Sequence, residues 1–517
     1  MSDGQAYSND PNEFYSRFDS DSTPGLNLDF KNDCLSDCSD ELPVFEVDDT
    51  RKTFRSLKVN KSGGPDKIST NILKTCAAQL AVPFTHIFNQ SIKQHKIPLI
   101  WKTSEIIPVP KRKVNVLNDL RPIALTSVLI KCLEKLILSL LLPAISPFQD
   151  PNQFAYKCKR SVDDAIALFV DNIYKHVDTP KQFVRVLFVD FSSAFNTIQP
   201  KLLVEKLLSF KVNKHVCVWI FEFLTERPQY VRLKLQNNVF YSDSRVLNVG
   251  APQGTCVSPA LFTIYTDSCR SQSENVHIIK FADDTAIQGM IKEDNDLSDY
   301  IREIDSFCTS CKEHSLQLNI SKTKELIIDF RKEGGAHERI VIDGQNVEQV
   351  QSYKYLGVTI DDSLDWHIQT SNVISKINQR MFFIRKLNAF RIDKYLISLF
   401  YRSVIESIVS FCMYVYGGNA LCKDIKKIDM IIKHASRITH ISQHTFHQIF
   451  RDSSVKKLKR ILKEPSHHFF NKIIFSKFSG RFVIVKANRE RYRNSFLPYS
   501  IRQLYEMNVR MKDVVPT

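Results

Sequence analysis

Two adjacent acids, Asp283 and Asp284, lie between short apolar runs in the segment KFADDTAI. The flanking runs HIIKFA and TAIQG predict two strands joined by a hairpin, which places both carboxylates at or near its tip. Further upstream, the run VLFVDFSSAF predicts a second apolar strand that ends in Asp190. Paired carboxylates are costly to bury unless positive charge lies between them. The three acids therefore predict a shared cation site at the ends of two strands.

Carboxylates in this arrangement suit hard divalent cations, because Mg²⁺ prefers oxygen ligands and is held by one or two carboxylates together with substrate phosphates. Two such ions clamp the attacking and leaving oxygens of an in-line phosphoryl displacement, which is the chemistry of nucleic-acid polymerases. We expect two Mg²⁺ ions, with Mn²⁺ as a substitute. The alternative is that the acids cap strands or turns. Asp-Asp pairs also occur at 48–49 and 163–164, so the dipeptide alone is not specific.

The apolar stretch at 129–145 is the most membrane-like segment of the 517-residue chain. Lys131, Glu134 and Lys135 interrupt it, so it predicts a buried helix rather than a membrane span. The first ten residues, MSDGQAYSND, lack the basic and apolar regions of a secretory signal. We therefore expect no membrane association.

Twelve cysteines are scattered along the chain, and the only close pairs are Cys34 with Cys38 and Cys308 with Cys311. Neither pair has a second pair at zinc-finger spacing, which favours free thiols in a reducing compartment over a zinc site. Together with the charge of the chain, this predicts a nuclear or cytoplasmic location, or both.

The net charge of +15 is unevenly distributed. Residues 1–50 carry 13 Asp and Glu against 2 Lys and Arg, and are interpreted as an acidic disordered leader in which 12–19 forms a short docked helix. The rest of the chain has 69 basic and 43 acidic residues, which favours a nucleic-acid partner over a basic surface that merely maintains solubility.

Secondary-structure patterns divide the body of the chain. Predicted strands alternate irregularly with helices to about residue 365, and helical periodicity then continues over 366–440. This order indicates an α+β fold with a helical C-terminal region. The tail 451–517 has 16 basic and 5 acidic residues with interspersed Tyr and Phe, which suits phosphate contacts and base stacking or, alternatively, a solvated surface helix.

Eight motifs occur in an order that resembles the reverse transcriptases of LINE-type (non-LTR) retrotransposons. They are KSGGPDKI, LRPIALTS, QFAYKCKRSVDDA, FVDFSSAFNTI, APQGTCVSP, FADD, LNISKTKEL and YLGVTID. The resemblance runs from about residue 51 to 370, and more loosely to the C-terminus. It implies an RNA-directed DNA polymerase that binds an RNA template, a DNA primer or target, and dNTPs. The oligomeric state is not predicted.

The same resemblance implies a right-hand polymerase fold with an antiparallel palm sheet. After the leader, fingers and palm would occupy 51–365, a helical thumb 366–440 and a basic region 441–517. Relatives of this kind usually carry an endonuclease upstream, and no segment here matches one. No Cys/His knuckle is found near the C-terminus either. We therefore expect the polymerase portion of an element, either truncated or encoded separately.

The resemblance assigns catalytic roles to several residues. Asp190, the backbone carbonyl of Phe191, Asp283 and Asp284 would be metal ligands, with Asp283 contacting both ions. Lys322 would act near the leaving pyrophosphate, either as a general acid or as a charge. Lys324 is an open alternative for that role.

Four further residues would bind the incoming nucleotide. Arg121 would grip the triphosphate, because its planar fork matches phosphate oxygens. Phe195 would lie under the sugar and exclude a ribose 2′-OH by steric repulsion. Gln253 and Gly254 would abut the nascent base pair, where glycine permits close backbone approach.

Three consecutive residues, Tyr355, Leu356 and Gly357, would hold the primer end. A basic run at 111–113 lies near Arg121 in the sequence and is interpreted as a solvated turn. At residue 196 the chain has Asn where many relatives have Asp. We expect this difference to be tolerated, since that position is not a metal ligand.

Two other functions remain open on the sequence alone. One is a catalytically silent nucleic-acid-binding protein derived from such an element, which the three intact acids argue against. The other is an RNA-templated RNA polymerase, which would share the acids and the palm. The aromatic ring of Phe195 argues against it, since a polymerase of RNA must accept the ribose 2′-OH.

Overall fold

A computed structural model describes residues 3–19, 26–36, 38–59, 62–110, 116–235, 238–331, 337–476, 479–510 and 513. The chain divides into two compact units. The first contains the residues up to Asp150 with Phe191–Arg270 and Phe307–Leu318, and the second contains Pro151–Asp190, Ser271–Ser306 and the residues from Asn319 onward. The chain therefore passes between the units repeatedly, whereas the predicted domains follow one another along the sequence.

Helices account for much of the described chain. In order they are α1 (Asp3–Ser16), α2 (Leu26–Leu35), α3 (Val47–Arg55), α4 (Thr70–Thr75), α5 (Ala77–Gln94), α6 (Leu99–Lys102), α7 (Val128–Ile145), α8 (Val162–Val177), α9 (Pro200–Ser209), α10 (Lys214–Leu224), α11 (Ser258–Tyr265), α12 (Ser298–Glu313), α13 (His367–Ala389), α14 (Lys394–Tyr401), α15 (Ser407–Ser410), α16 (Met413–Tyr416), α17 (Cys422–Thr439), α18 (Phe446–Ile461), α19 (Glu490–Arg493) and α20 (Phe496–Glu506).

The strands fall mainly between residues 104 and 361. In order they are β1 (Ser104–Pro110), β2 (Leu120–Leu125), β3 (Phe183–Val189), β4 (Arg227–Leu235), β5 (Asn238–Tyr241), β6 (Arg245–Leu247), β7 (Val276–Phe281), β8 (Asp284–Ile291), β9 (Lys324–Ile328), β10 (Val341–Ile342), β11 (Gln345–Asn346), β12 (Glu348–Val350), β13 (Ser352–Tyr355) and β14 (Val358–Asp361). Strands and helices are mixed without regular alternation, so the predicted α+β class is confirmed.

The sheet of the first unit has the strand order β2-β1-β4-β5, with β6 also paired to β4. Strands β1 and β4 are parallel, and the other pairs are antiparallel. Strand β4 forms a hairpin with β5, and β6 pairs antiparallel with residues 227–229 at the start of β4.

The described parts of the first fifty residues, 3–19, 26–36 and 38–50, differ from the predicted disordered leader. Helices α1 and α2 lie within them, and the predicted docked helix at 12–19 corresponds to the end of α1. Tyr15 is buried against Ile106 and Val231 of the sheet. The Asn12 side chain donates to Ser242 Oγ at 3.1 Å. Composition predicted disorder because the segment is acidic and has few apolar residues, but those few make specific contacts with the sheet.

Helices of the first unit begin at identifiable start signals. Helix α7 covers the apolar stretch and is buried along most of its length, as predicted, and the Ser127 side chain caps it by accepting from the Leu129 N–H. Two further helices, α9 and α10, follow one another closely in the chain. Asn213 lies between them and caps α10 by accepting from the His215 N–H.

The second unit is built on the sheet β12-β9-β3-β8-β7. Every residue of β3 is buried, as its continuous apolar run predicts. Strand β3 lies between β8 and β9 and is antiparallel to both. Arg185, on β3, is paired with the Glu325 carboxylate of β9 at 2.8 Å, so the one charge buried in this strand is compensated.

Helices cover this sheet and form one large apolar core with it. Helix α8 contributes Ile166, Phe169 and Tyr174 to that core, and the C-terminal helices contribute residues as far along the chain as Leu504. Trp366 precedes α13 and donates from Nε1 to the Tyr174 hydroxyl at 2.8 Å. The predicted helical character of 366–440 is confirmed.

The Asp163-Asp164 pair serves the fold rather than a metal site. Asp164 completes the capping box of α8 with Ser161. Its carboxylate also binds Lys457 at 2.6 Å and His467 at 3.0 Å, which joins the C-terminal region to α8. The charge of a buried acid with these partners is compensated without a metal ion.

Within the ranges given above, no single helix is long and apolar enough to cross a membrane. One pair of neighbouring segments, Lys394–Ser410 and Met413–Asn419, meets the length and hydropathy criteria only when taken together across a 40° bend.

Candidate active site

The three predicted acids of the second unit lie at one end of its sheet. Val189, the last residue of β3, pairs with Thr285 of β8, so Asp190 continues toward the start of β8 at Asp284. Strands β7 and β8 form a tight hairpin in which Phe281 pairs with Asp284, leaving only Ala282 and Asp283 at its tip. The sequence prediction of a strand end beside a hairpin is therefore confirmed for the backbone.

Mutual repulsion is visible in the electrostatics of these acids. Asp284 is exposed as a residue, although neighbouring protein atoms partly bury its carboxylate. This burial, together with the negative charges of Asp283 and then Asp190, raises the pKa of Asp284 to about 6. A bound cation would relieve that repulsion and favour the ionised form.

The donor set fits a hard cation in its chemistry, because it consists of carboxylates at an accessible strand end. Among the residues that the structure describes, no three His, Cys, Asp or Glu side chains meet in a ready metal-binding cluster. This is consistent with a Mg²⁺ ion that takes part of its coordination from substrate phosphates rather than from a closed protein cage. All twelve cysteines are free thiols, as predicted.

Lys322 and Lys324 have different neighbours. Lys322 Nζ lies 3.7 Å from Asp190 Oδ2, and about half of its side chain is exposed. Lys324 Nζ instead binds the Glu348 carboxylate at 2.6 Å and donates to the Ser321 carbonyl. Only Lys322 is thus directed toward the acids.

The turn that carries Lys322 is attached to the end of β3 through its backbone. Asn319 N–H donates to the Asp190 carbonyl at 2.8 Å, and Lys322 N–H donates to the Asn319 carbonyl at 3.1 Å. These bonds fix the lysine relative to the first acid.

The predicted primer-grip residues lie on the β13–β14 hairpin of the second unit. Tyr355 is buried in the core, where its ring contacts Phe169 and Phe188 at centroid distances of 5.1 and 5.3 Å. Leu356 and Gly357 form the turn, with φ values of +48° and +94°. Of the three, only the turn residues present surface to solvent.

Tyr353 is a residue near the acids that the motif comparison did not single out. Its ring stacks on Phe188 of β3 at 4.0 Å with an interplanar angle of 11°. Burial, followed by the negative charges of Asp284 and Asp190, raises the pKa of its hydroxyl. The sequence did contain a signal for Tyr353. It lies two residues before Tyr355 on the same strand, and this spacing places both tyrosine rings on one face of the strand.

The first unit holds the predicted sugar gate. Phe195 lies in a short 3₁₀ segment, Ala194–Thr197, and its half-buried ring stacks on Phe262 of α11 at 4.8 Å. Its carbonyl accepts from the Ala251 N–H at 2.8 Å. The ring is therefore braced from α11 and from the 250–259 loop without being wholly enclosed.

Gly250 opens the 250–259 loop and has no room for a side chain. Its φ is +81°, and a Cβ there would lie 2.9 Å from both the Cα and the carbonyl oxygen of Asn196. A glycine is thus required both by conformation and by close contact. The Asn at position 196 contributes backbone atoms to this contact.

The predicted template-binding residues, Gln253 and Gly254, are joined to β2. The Ala124 N–H donates to the Gln253 carbonyl at 2.8 Å. At Gly254, where φ is +115°, a Cβ would lie 3.0 Å from the Ala124 carbonyl oxygen. The loop backbone therefore approaches β2 as closely as glycine allows.

Glu134 of α7 holds the same loop and was not predicted to do so. Its fully buried carboxylate accepts from the Val257 N–H at 2.9 Å and from the Cys256 N–H. Burial raises the pKa of Glu134 to about 7, against the lowering effect of these two bonds. The sequence signal was present, because an acid interrupts an otherwise apolar helix, but its partner is more than a hundred residues away.

Arg121 lies exposed on β2, opposite Val109 of β1. The basic run at 111–113 lies outside the described residues. Phe191 follows Asp190 in the chain but belongs to the first unit, where it forms a bridge with Leu318 and contacts the Phe307 ring at 6.3 Å.

Comparison with known families identifies the class of this site. Residues 109–360 match the family described as reverse transcriptase (RNA-dependent DNA polymerase), which defines a reverse transcriptase domain. Residues 366–407 match a second family, the N-terminal region of the alkylated DNA repair protein alkB homolog 8.

Among curated proteins, the chain is 22% identical to the RNA-directed DNA polymerase from mobile element jockey of Drosophila melanogaster, over 82% of this chain and 46% of that protein. It is 23% identical to the probable RNA-directed DNA polymerase from transposon BS of the same species, over 66% of this chain and 38% of that protein. A third relative, the Pol polyprotein from type-1 retrotransposable element R1 of Bradysia coprophila, is 22% identical over 63% of this chain and 32% of that protein.

The family match and these relatives bear out the predicted resemblance to LINE-type, non-LTR retrotransposon reverse transcriptases. The chain spans less than half the length of these curated relatives.

Proposed function

We propose that this chain is an RNA-directed DNA polymerase that adds nucleotides from dNTPs to a primer on an RNA template. The primer 3′ oxygen attacks the α-phosphorus of the dNTP, a phosphodiester bond forms, and pyrophosphate leaves. The observation that carries this proposal is the set of three mutually repelling acids at the end of β3 and the tip of the β7–β8 hairpin. The match to the reverse transcriptase family supports it.

Reverse transcriptases generally use divalent metal ions. We assign two Mg²⁺ ions to Asp190, Asp283, Asp284 and the Phe191 carbonyl, with Mn²⁺ as a substitute. When bound, the ions neutralise charge on the attacking and leaving oxygens. Burial, together with repulsion by Asp283 and Asp190, raises the pKa of Asp284, and this supports the assignment, because a bound cation would favour the ionised form of all three carboxylates.

Lys322 supplies positive charge, or a proton, for the leaving pyrophosphate. Its distance of 3.7 Å from Asp190 Oδ2 supports this role. The binding of Lys324 to Glu348 argues against the alternative lysine, because that ammonium already has an acidic partner.

The nucleotide-binding roles rest on the resemblance and on local geometry. Arg121 is exposed and able to reach phosphate oxygens. Phe195 presents a braced, half-buried ring that suits exclusion of a ribose 2′-OH. Gln253 and Gly254 offer a rigid loop for the template–nucleotide pair, and the close contact with β2 supports that role.

For the primer end, the turn residues Leu356 and Gly357 are the direct contacts in this proposal. Tyr355 supports the turn from the core, since its ring is buried. The helices within 366–440, α13 to α17, would serve as the thumb of a right-hand polymerase, with the basic region 441–517 on nucleic acid. The relatives are named as polymerases of mobile elements, which supports the copying of an element's RNA. A nuclear or cytoplasmic location, or both, rests on the basic charge and the free cysteines of the chain.

The test is extension of a DNA primer on an RNA template by purified protein with dNTPs and Mg²⁺, beside Asp283→Asn. We expect wild type to extend the primer and the variant to lose at least about a thousandfold in rate, the scale seen when an essential catalytic group is removed. Circular dichroism should show both folded, since Asp283 is exposed at a hairpin tip.

Equal extension by both proteins would place the metal site elsewhere or reveal a contaminant. Extension by neither, with folded protein that still binds RNA, would favour the silent nucleic-acid-binding alternative. The presence of all three acids makes that alternative the less favoured one.

A further inference from the structure

A glutamine side chain holds the tip of the β7–β8 hairpin from outside the hairpin. Gln153 lies in the QFAYKCKR segment, to which no role is assigned above, and only 2% of it is exposed. Its Oε1 accepts from the Ala282 N–H at 3.0 Å, and its Nε2 donates to the Ala282 carbonyl at 3.4 Å. Both polar backbone groups of the residue preceding Asp283 are thus bound by one amide.

Ala282 adopts a backbone conformation that needs stabilising contacts from its surroundings. Its φ is +57°, in the left-handed region that favours glycine, although the residue carries a Cβ. Such a conformation persists only when the surroundings enforce it, and it is typical of functional turns. A relaxed Ala282 would redirect the chain at Asp283, because the two residues form the whole of the tip.

Gln153 is itself fixed on the edge of the sheet. The chain around it runs beside β7, with Phe154 N–H donating to the Lys280 carbonyl and Lys280 N–H donating to the Asn152 carbonyl, each at 2.9 Å. Gln153 Oε1 also accepts from the Ala155 N–H at 3.0 Å. The buried Phe154 ring anchors the segment in the core.

We propose that Gln153 is a positioning residue for metal binding, acting by holding Ala282 in its left-handed conformation so that Asp283 and Asp284 stay directed toward a common cation. It does not contact the ion or the substrate. This inference rests on the proposed metal site. Gln153 comes from a different segment of the chain than the acids. In this proposal it positions the acids, and does not only stabilise the edge of the sheet.

The experiment measures Mn²⁺ binding in the absence of chemistry. The full chain is assembled with an RNA template, a dideoxy-terminated DNA primer and the next dNTP, and bound Mn²⁺ is titrated by electron paramagnetic resonance. We expect Gln153→Ala to weaken Mn²⁺ binding about tenfold, the lower end of the losses seen when a support of a metal ligand is removed. Gln153→Met, which keeps the volume but not the hydrogen bonds, should do the same.

Gln288 provides the matched control. It is fully buried on β8 of the same sheet, and its amide donates to the Phe169 carbonyl at 2.9 Å and accepts from Asn172 at 3.1 Å. Gln288→Ala therefore removes an equally buried amide that does not touch the hairpin tip, and Mn²⁺ affinity should stay near that of wild type. Equal losses in the Gln153 and Gln288 variants would overturn the proposal.

Coupling to Ala282 provides a second, independent readout. In an Ala282→Gly background the left-handed conformation carries no Cβ penalty, so the loss caused by Gln153→Ala should become smaller. A glutamine that merely stabilised the edge would cause the same loss in both backgrounds, which would contradict the proposal. Asp283→Asn distinguishes failure of the proposed metal site from failure of the role proposed for Gln153. If Asp283→Asn leaves Mn²⁺ binding intact, the metal site itself is misplaced, independently of the result for Gln153.

Discussion

Two regions with proposed catalytic roles are constructed differently. In the second unit, the acids lie at the end of paired strands, and their environment is dominated by charge: three carboxylates, with Lys322 beside the first. In the first unit, the 250–259 loop has little charge and is held by close backbone contacts to Asn196 and β2. A buried acid of helix α7, Glu134, also binds the backbone of this loop.

The difference indicates what each region is suited to do. Charged groups that repel one another need a rigid base, and a sheet supplies it through backbone hydrogen bonds that side-chain changes leave intact. Discrimination between substrates by shape needs a surface whose atoms are held so closely that a small displacement changes the fit of the substrate. A loop that approaches other backbone as closely as glycine permits provides such a surface. Substitutions should therefore affect reaction rate in the first case and substrate choice in the second.

After Asp283→Asn, the next largest effect on catalysis in this comparison is expected at Lys322. Lys322→Ala should lower the extension rate about a hundredfold, the lower end for a positioned proton donor or charge. Lys324→Ala should change it little, because that lysine is bound to Glu348. Single-turnover primer extension measures both.

Lys322→Arg distinguishes the two roles left open for this lysine. Arginine keeps the charge but does not release a proton near neutral pH. A rate near wild type indicates a charge, and a rate near that of the alanine variant indicates a general acid. Loss at Lys324 equal to that at Lys322 would contradict the assignment.

A smaller effect, on selectivity rather than rate, is expected at the braced ring. Phe195→Ala should raise ribonucleotide incorporation relative to deoxyribonucleotide incorporation by about tenfold or more, because a steric barrier is removed. Asn196→Asp is the neighbouring control and should leave discrimination unchanged, since Asn196 contacts Gly250 through its backbone. Competition assays with matched dNTP and rNTP pairs give the ratio. An unchanged ratio in Phe195→Ala would remove the gate assignment.

The smallest effect on activity is expected at Glu134. A substitution there should instead change the stability of the protein. Its pKa of about 7 in the folded chain exceeds its ordinary value of 4.5, so the folded state binds the proton more tightly than the unfolded state does. Its contribution to stability is therefore greatest at low pH and declines between about pH 4.5 and 7, by up to about 3 kcal/mol.

Glu134→Gln removes that titration. The variant should gain stability relative to wild type as the pH is raised from 5 to 8, and thermal unfolding at the two pH values measures the change. A difference between the two proteins that does not vary with pH would show that the pKa of Glu134 is the same in the folded and the unfolded chain. Little change in metal dependence is expected, since the acids lie in the other unit.

The sequence by itself determined the elements that depend on short-range pattern. The apolar run of β3, the hairpin around Asp283 and Asp284 and the helix α7 are all local, because side-chain periodicity and turn residues set them within a few positions. The motif order likewise indicated the resemblance that the family match bears out. Composition alone missed the helix α1, since the contacts of Asn12 and Tyr15 with the distant sheet are not encoded in local pattern.

Only the tertiary structure decided which distant groups support the site. It distinguished the surroundings of Lys322 from those of Lys324, buried the predicted primer-grip residue Tyr355, and joined Glu134 to the 250–259 loop. It also brought Gln153 to Ala282, 129 positions along the chain. These are long-range contacts of single polar or aromatic groups. One sequence carries no periodic signal for such contacts, because each depends on how whole elements pack before the two groups can meet.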